Sequence, residues 1–101
     1  MRRRTVRLFL RLTADVNSRL RSLMRYHGDL SEYINEAFMS LDLRSIELIP
    51  VVIGRNSRGM TAVISVAANG RLRSAVKRRG CTLTELANSA LHKWLGDKKN
   101  V

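Results

Sequence analysis

Residues 5 to 13 alternate strictly: Val6, Leu8, Leu10 and Leu12 fall on one side, and Arg7, Phe9 and Arg11 on the other. A period of two predicts a β-strand with one face turned to a core. At Thr13 the period changes. Thr13 is suited to cap a helix whose first turn carries Asp15, and Val16, Leu20 and Leu23 recur at spacings of four and three. Gly28 sits where a left-handed C′ residue would close that helix. Directly after it, Asp29, Leu30, Ser31 and Glu32 have the form of a capping box. Leu30, Tyr33, Ile34, Ala37, Phe38 and Leu41 then draw the apolar stripe of a second helix, which dissolves near Asp42.

The same grammar returns downstream. Met60, Ala62, Ile64 and Val66 alternate with Thr61, Val63 and Ser65, which predicts a second strand. Leu72, Ala75 and Val76 line a helix ending at Gly80, Thr82 to Glu85 form another capping box, and Leu83, Leu86, Ala87, Ala90, Leu91 and Trp94 stripe a last helix. The copies also share letters. The stretch from Arg19 to Gly28 is echoed from Arg71 to Gly80 at an offset of 52, and Leu30 to Ala37 by Leu83 to Ala90 at an offset of 53. A repeated unit usually buries its apolar face against its twin. In a chain of 101 residues, two separate cores of about 45 residues each would be too small to stand alone.

Between the copies, residues 43 to 59 hold the only proline, Pro50, together with Gly54, Asn56 and Gly59. The run from Ile46 to Ile53 is too apolar for a free linker and is expected to lie on the domain surface or to add a short extended segment. About 16 residues can reach roughly 50 Å, enough to return the chain to a second strand beside the first. The expected layout is one domain over 1–101, with a first unit at 5–42, a linker at 43–59 and a second unit at 60–96.

Charge narrows the partner. The chain has 19 Lys and Arg against 8 Asp and Glu, a net charge of +11, which suggests a polyanion. The excess is uneven: +3 over residues 1–43, +2 over 44–59 and +6 over 60–101. The longest apolar run is broken by Glu47 and Pro50 and falls far short of the roughly 20 residues a spanning helix needs, so no membrane partner is expected. Arg7 and Arg11 break what would be the apolar core of a signal peptide, so Arg2, Arg3 and Arg4 read as a solvated basic arm.

Catalytic chemistry is not expected. Cys81 is the only cysteine, which excludes an intrachain disulfide and argues against a thiolate metal site. His27 and His92 lack a carboxylate or cysteine at metal spacing, and there is no paired nucleophile and base, no carboxylate pair and no phosphate-binding glycine loop. The chain is read as a non-enzyme without a cofactor.

The order strand, helix, glycine turn, capped helix, found over residues 5–41 and again over 60–95, resembles the ribbon-helix-helix family of DNA-binding proteins. The resemblance is carried by the alternating strands, by Gly28 and Gly80, and by Asp29 and Thr82 at the second helix of each unit. It implies an α+β, mostly α, fold: a single-chain pseudodimer with a two-stranded antiparallel ribbon and four helices around one core. A monomer would then suffice to form the fold.

It further implies that the ribbon enters the major groove of double-stranded DNA with outward side chains against base edges. Those readers would be Arg7, Phe9 and Arg11 on the first strand and Thr61, Val63 and Ser65 on the second. Phe9 has two readings, contact with thymine methyl groups or a fold back over the core. The amides near Leu30 and Ser31, and near Leu83 and Thr84, would hold phosphates at helix N-termini. Arg2, Arg3, Arg4, Arg71, Arg73, Lys77, Arg78 and Arg79 would face phosphates or solvent, positioning without specifying.

Because the two strands differ at every reading position, the expected DNA site is asymmetric. The duplicated layout is similar to TraY-type accessory proteins of conjugative relaxosomes and to the DNA-binding half of the accessory protein for T-DNA transfer from virulence plasmids. That likeness implies a bacterial cytoplasmic role in DNA transfer beside a relaxase or other transfer proteins. The alternatives are a transcriptional repressor, the commonest role in the wider family, and a module that docks an acidic protein.

Overall fold

The alternation at residues 5–12 becomes a strand because it lets three leucines share one buried face. In the computed structural model, which describes residues 4–23, 29–51, 53, 54 and 57–99, β1 spans Thr5–Leu12. The helices α1 (Ala14–Leu23) and α2 (Asp29–Ser40) follow, then β2 (Arg58–Ser65), α3 (Val66–Arg79) and α4 (Leu83–Lys99). The two strands pair antiparallel as one two-stranded sheet, with Arg7 opposite Val63, Phe9 opposite Thr61 and Arg11 opposite Gly59. The fold is α+β and mostly helical.

All six elements contribute to one apolar cluster, in which Leu8, Leu10, Leu12, Ala62 and Ile64 of the sheet meet Leu20, Ile34, Phe38, Leu72, Leu86 and Leu91 of the helices. The radius of gyration, 12.8 Å, is what one packed body of this length gives, about 13 Å. Across the core the rings of Tyr33 in α2 and Trp94 in α4 lie 5.5 Å apart, within the range of a favourable aromatic pair. Tyr33 also donates its hydroxyl to the Leu23 carbonyl at 2.9 Å, tying α2 to the last described turn of α1.

The element ends have local causes. Thr13 Oγ1 accepts the Val16 amide at 3.2 Å, and Ser65 Oγ accepts the Ala68 amide at 3.0 Å; the two hydroxyls cap α1 and α3 in the same way. Thr82 and Glu85 exchange the reciprocal bonds of a capping box, at 3.0 and 3.1 Å. Gly80 closes α3 at φ 65°, its amide on the Val76 carbonyl at 3.0 Å, a conformation that favours glycine. The expected glycine turn at Gly28 lies outside the described residues. Asp29 opens α2 with its side chain buried.

One boundary departs from the alternating pattern. Val66 continues the period of β2 yet is the first residue of α3 and is 47% exposed. The cap at Ser65 decides this, because its hydroxyl turns the chain into a helix before the alternation runs out.

A two-stranded sheet has two open edges of unpaired amides and carbonyls, and each edge here is covered by a helix of the other half. Along β2, Ser31 Oγ accepts the Val63 amide at 3.0 Å and Asn35 Oδ1 accepts the Ser65 amide at 2.8 Å, both from α2. Along β1, Asn88 of α4 accepts the Thr13 amide through Oδ1 at 2.9 Å and donates through Nδ2 to the Arg11 carbonyl at 2.9 Å and the Thr84 carbonyl at 2.8 Å. The segment between the halves is fixed as well: Leu43 and Ile46 are buried in the core, and Ser89 Oγ accepts the Ile49 amide at 2.9 Å. Among the described residues no buried side-chain polar atom lacks a hydrogen bond.

Asn88 is 0% exposed, and its loss removes three hydrogen bonds to part-buried backbone groups. We expect Asn88→Ala to cost about 2–4 kcal/mol. Asn35→Ala, at a half-buried site with one such bond, should cost about 1 kcal/mol. Urea denaturation of both variants measures the difference.

Candidate nucleic-acid interface

Strand parity sends Arg7, Phe9 and Arg11 to the face opposite the core, and all three are exposed. Thr61 and Val63 stand exposed across from them on β2. Arg19 pairs with Asp15 and Lys93 with Asp97, and no ion pair between described residues involves Arg7 or Arg11. Phe9 is 58% exposed and lies over Gly59: a Cβ built on that glycine would come within 2.6 Å of the ring's Cζ. The ring therefore lies on β2 rather than folded back over the core.

Ser65 belongs to the same face by parity but has another task. It is half-buried, its amide goes to Asn35 and its hydroxyl caps α3. Ser65 is thus drawn toward the start of α3, and the exposed row on β2 is Gly59, Thr61 and Val63.

Beside the ribbon, Thr5, Ser31, Glu32, Asn35, Val63 and Ser65 line a cleft of about 260 Å³ at the N-terminal end of α2. Leu30 is buried there, and the Ser31 hydroxyl oxygen is engaged by the Val63 amide. At the other half the capping box uses the amide of Glu85. The amides of Leu83 and Thr84 are first-turn donors, which have no partner within their own helix. A helix dipole draws an anion to such amides. Glu32 and Glu85 occupy equivalent first turns, and a carboxylate there competes with a phosphate for the same positive end.

The basic residues divide into two groups. Arg4 is exposed just before β1, whereas Arg2 and Arg3 lie outside the described residues. Arg73, Lys77 and Arg78 are exposed on α3; Arg73 donates to Asn69 Oδ1 at 3.2 Å. Arg71 and Arg79 are committed elsewhere. Arg71 donates to the carbonyls of Phe38 at 2.9 Å and Leu41 at 2.7 Å, and Arg79 to that of Leu43 at 3.2 Å. These carbonyls close the C-terminal end of α2, about two turns along it from Ser31, where cations offset the negative end of the dipole. These two hold α3 against α2, while Arg71 stays exposed with donors to spare.

Arg44, Arg71 and Arg78 also border a cleft of about 360 Å³ with Asp42. The Asp42 carboxylate accepts from the Ser45 hydroxyl at 2.8 Å and the Arg44 amide at 3.2 Å. Those two bonds, with the charges of Arg44 and Arg71, hold its carboxyl below the ordinary aspartate value. The Glu85 carboxyl is likewise held below the ordinary value by the Thr82 amide and then the Thr82 hydroxyl.

His92 is exposed and meets Arg19 at 3.1 Å through Nδ1, while His27 lies outside the described residues. Among the described residues no helix is long and apolar enough to cross a membrane, and no group of three or more His, Cys, Asp or Glu is placed to hold a metal ion. The sequence reading missed Asn35, Asn88 and Gly59; the first two were visible as the asparagine shared by both copies. Comparison with family models, curated proteins and solved structures finds no match to this chain.

Two outcomes follow from these contacts. Arg71→Ala should lower stability by about 1–2 kcal/mol, measured by urea denaturation, because it removes bonds from a guanidinium to two carbonyls. Glu85 contributes stability that is complete above the ordinary glutamate value of 4.5 and is lost as pH falls through the lower folded value. Glu85→Gln keeps the acceptor and removes the titration, so thermal melts of that variant should depend less on pH below 4.5.

Proposed function

We propose that this chain is a double-stranded DNA-binding protein of tandem ribbon-helix-helix architecture, which inserts the β1–β2 ribbon into the major groove. The observation that carries the reading is the ribbon's outer face. Arg7 and Arg11 stand exposed, two residues either side of Phe9, on a sheet whose other face is buried and whose edges are held by helices. An arginine can meet guanine O6 and N7 with two bonds, worth about 1–3 kcal/mol of discrimination. The net charge of +11 supplies attraction to any duplex, and the order of elements, β-α-α twice, fits the family's plan.

Within the cell, the duplicated layout supports an accessory role in conjugative or T-DNA processing. The two rows of the outer face, Arg7, Phe9 and Arg11 against Val63, Thr61 and Gly59, support an asymmetric target rather than a palindrome.

Selection of bound duplexes from a random pool, followed by fluorescence anisotropy on the selected and a scrambled duplex, tests this. Arg7→Ala and Arg11→Ala should each reduce the preference for the selected duplex by about 5-fold or more. Arg78→Ala should weaken both duplexes alike and lower the salt slope by about 1. Absence of duplex binding at low salt would refute the reading, and equal effects of all three variants would refute the assignment of the reading strand.

A further inference from the structure

The ring of Phe9 does not stand upright between Arg7 and Arg11. It leans from β1 onto β2 and covers Gly59, with Cζ and Cε2 at 2.6 and 3.0 Å from where a Cβ would be. Gly59 is the residue opposite Arg11. The ring thus supplies the side-chain surface that this position lacks, an aromatic cover over a strand glycine. Beside it come Thr61, exposed, and Val63, 46% exposed. One row of the face carries two guanidinium groups. The other presents an aromatic ring, a threonine and a valine, with no charge.

Resting on the DNA reading, we propose that Phe9, Thr61 and Val63 form a seat for the C5 methyl groups of thymine. The ribbon then reads by two chemistries at once. Arg7 and Arg11 take guanine edges by hydrogen bonds, and the apolar strip takes methyl groups, which project into the major groove and are contacted by apolar side chains. Charge complementarity selects the occupant: an apolar strip bordered by two arginines that pair with no carboxylate among the described residues suits a groove floor that sets guanine acceptors beside thymine methyls. Gly59 has a defined part in this, since a larger residue would push the ring off β2 and split the strip.

The test uses the full chain and a duplex it selects from a random pool. Each thymine in turn is replaced by deoxyuridine, which removes the C5 methyl and keeps every hydrogen-bonding group. Burial of one methyl predicts binding weaker by about 3- to 4-fold at one or more positions. Phe9→Ala and Val63→Ser should each abolish the penalty at a different thymine, and Gly59→Ala should reduce the penalty assigned to Phe9. Both strand side chains are exposed, and circular dichroism of each variant checks the fold; Phe9→Leu, which keeps an apolar group, should retain part of the penalty. Equal affinity for the thymine and deoxyuridine duplexes overturns the methyl seat while leaving DNA binding intact. Failure to bind any duplex overturns both.

Discussion

A ribbon of two strands cannot satisfy its own outer edges, and the rest of this structure follows from how those edges are closed. Neither half can close its own strand. The α2 helix reaches across to β2 with Ser31 and Asn35, and α4 reaches across to β1 with Asn88. The edges and the core are therefore completed by the same event. A strand pair that is marginal alone becomes one face of a cooperative body, because the ladder, the apolar cluster and these side-chain bonds all join the two halves.

The same closure explains why a basic chain does not offer all its cations to a partner. Arg71 and Arg79 reach the carbonyls where α2 and the following turn end, an end that α3 passes on its way from the ribbon. Their charge is retained, but Arg71 directs two of its five donors, and Arg79 one, to these carbonyls. Arg7 and Arg11 are the contrasting case, held on a rigid strand with their heads unengaged by any carboxylate among the described residues. Net charge measures long-range attraction; the count of available donors has to be taken residue by residue.

Much of the fold was legible. Strict alternation identified β1 and its outward residues, because a period of two assigns a face without knowledge of the partner. The caps at Thr13 and Thr82 and the glycine at Gly80 were legible because their geometry is satisfied within four residues. The start of α3 was not, since Val66 fits the strand's period and only the Ser65 hydroxyl breaks it. The tasks of Asn88, Arg71 and Arg79 were hidden for a related reason: their partners lie 77, 33 and 36 residues away, and no local pattern records which carbonyl a long side chain will meet. The place of Gly59 under Phe9 required the register, which periodicity leaves open.

The segment between the halves has a consequence beyond the fold. Leu43 and Ile46 are seated in the core, and Ser89 holds the Ile49 amide, so the chain that joins the two halves is itself part of the packed body. Two separate protomers would come apart on dilution, and their stability would rise and fall with concentration. A covalently joined pair has no such dependence. It remains assembled at any dilution, because its two halves cannot diffuse apart.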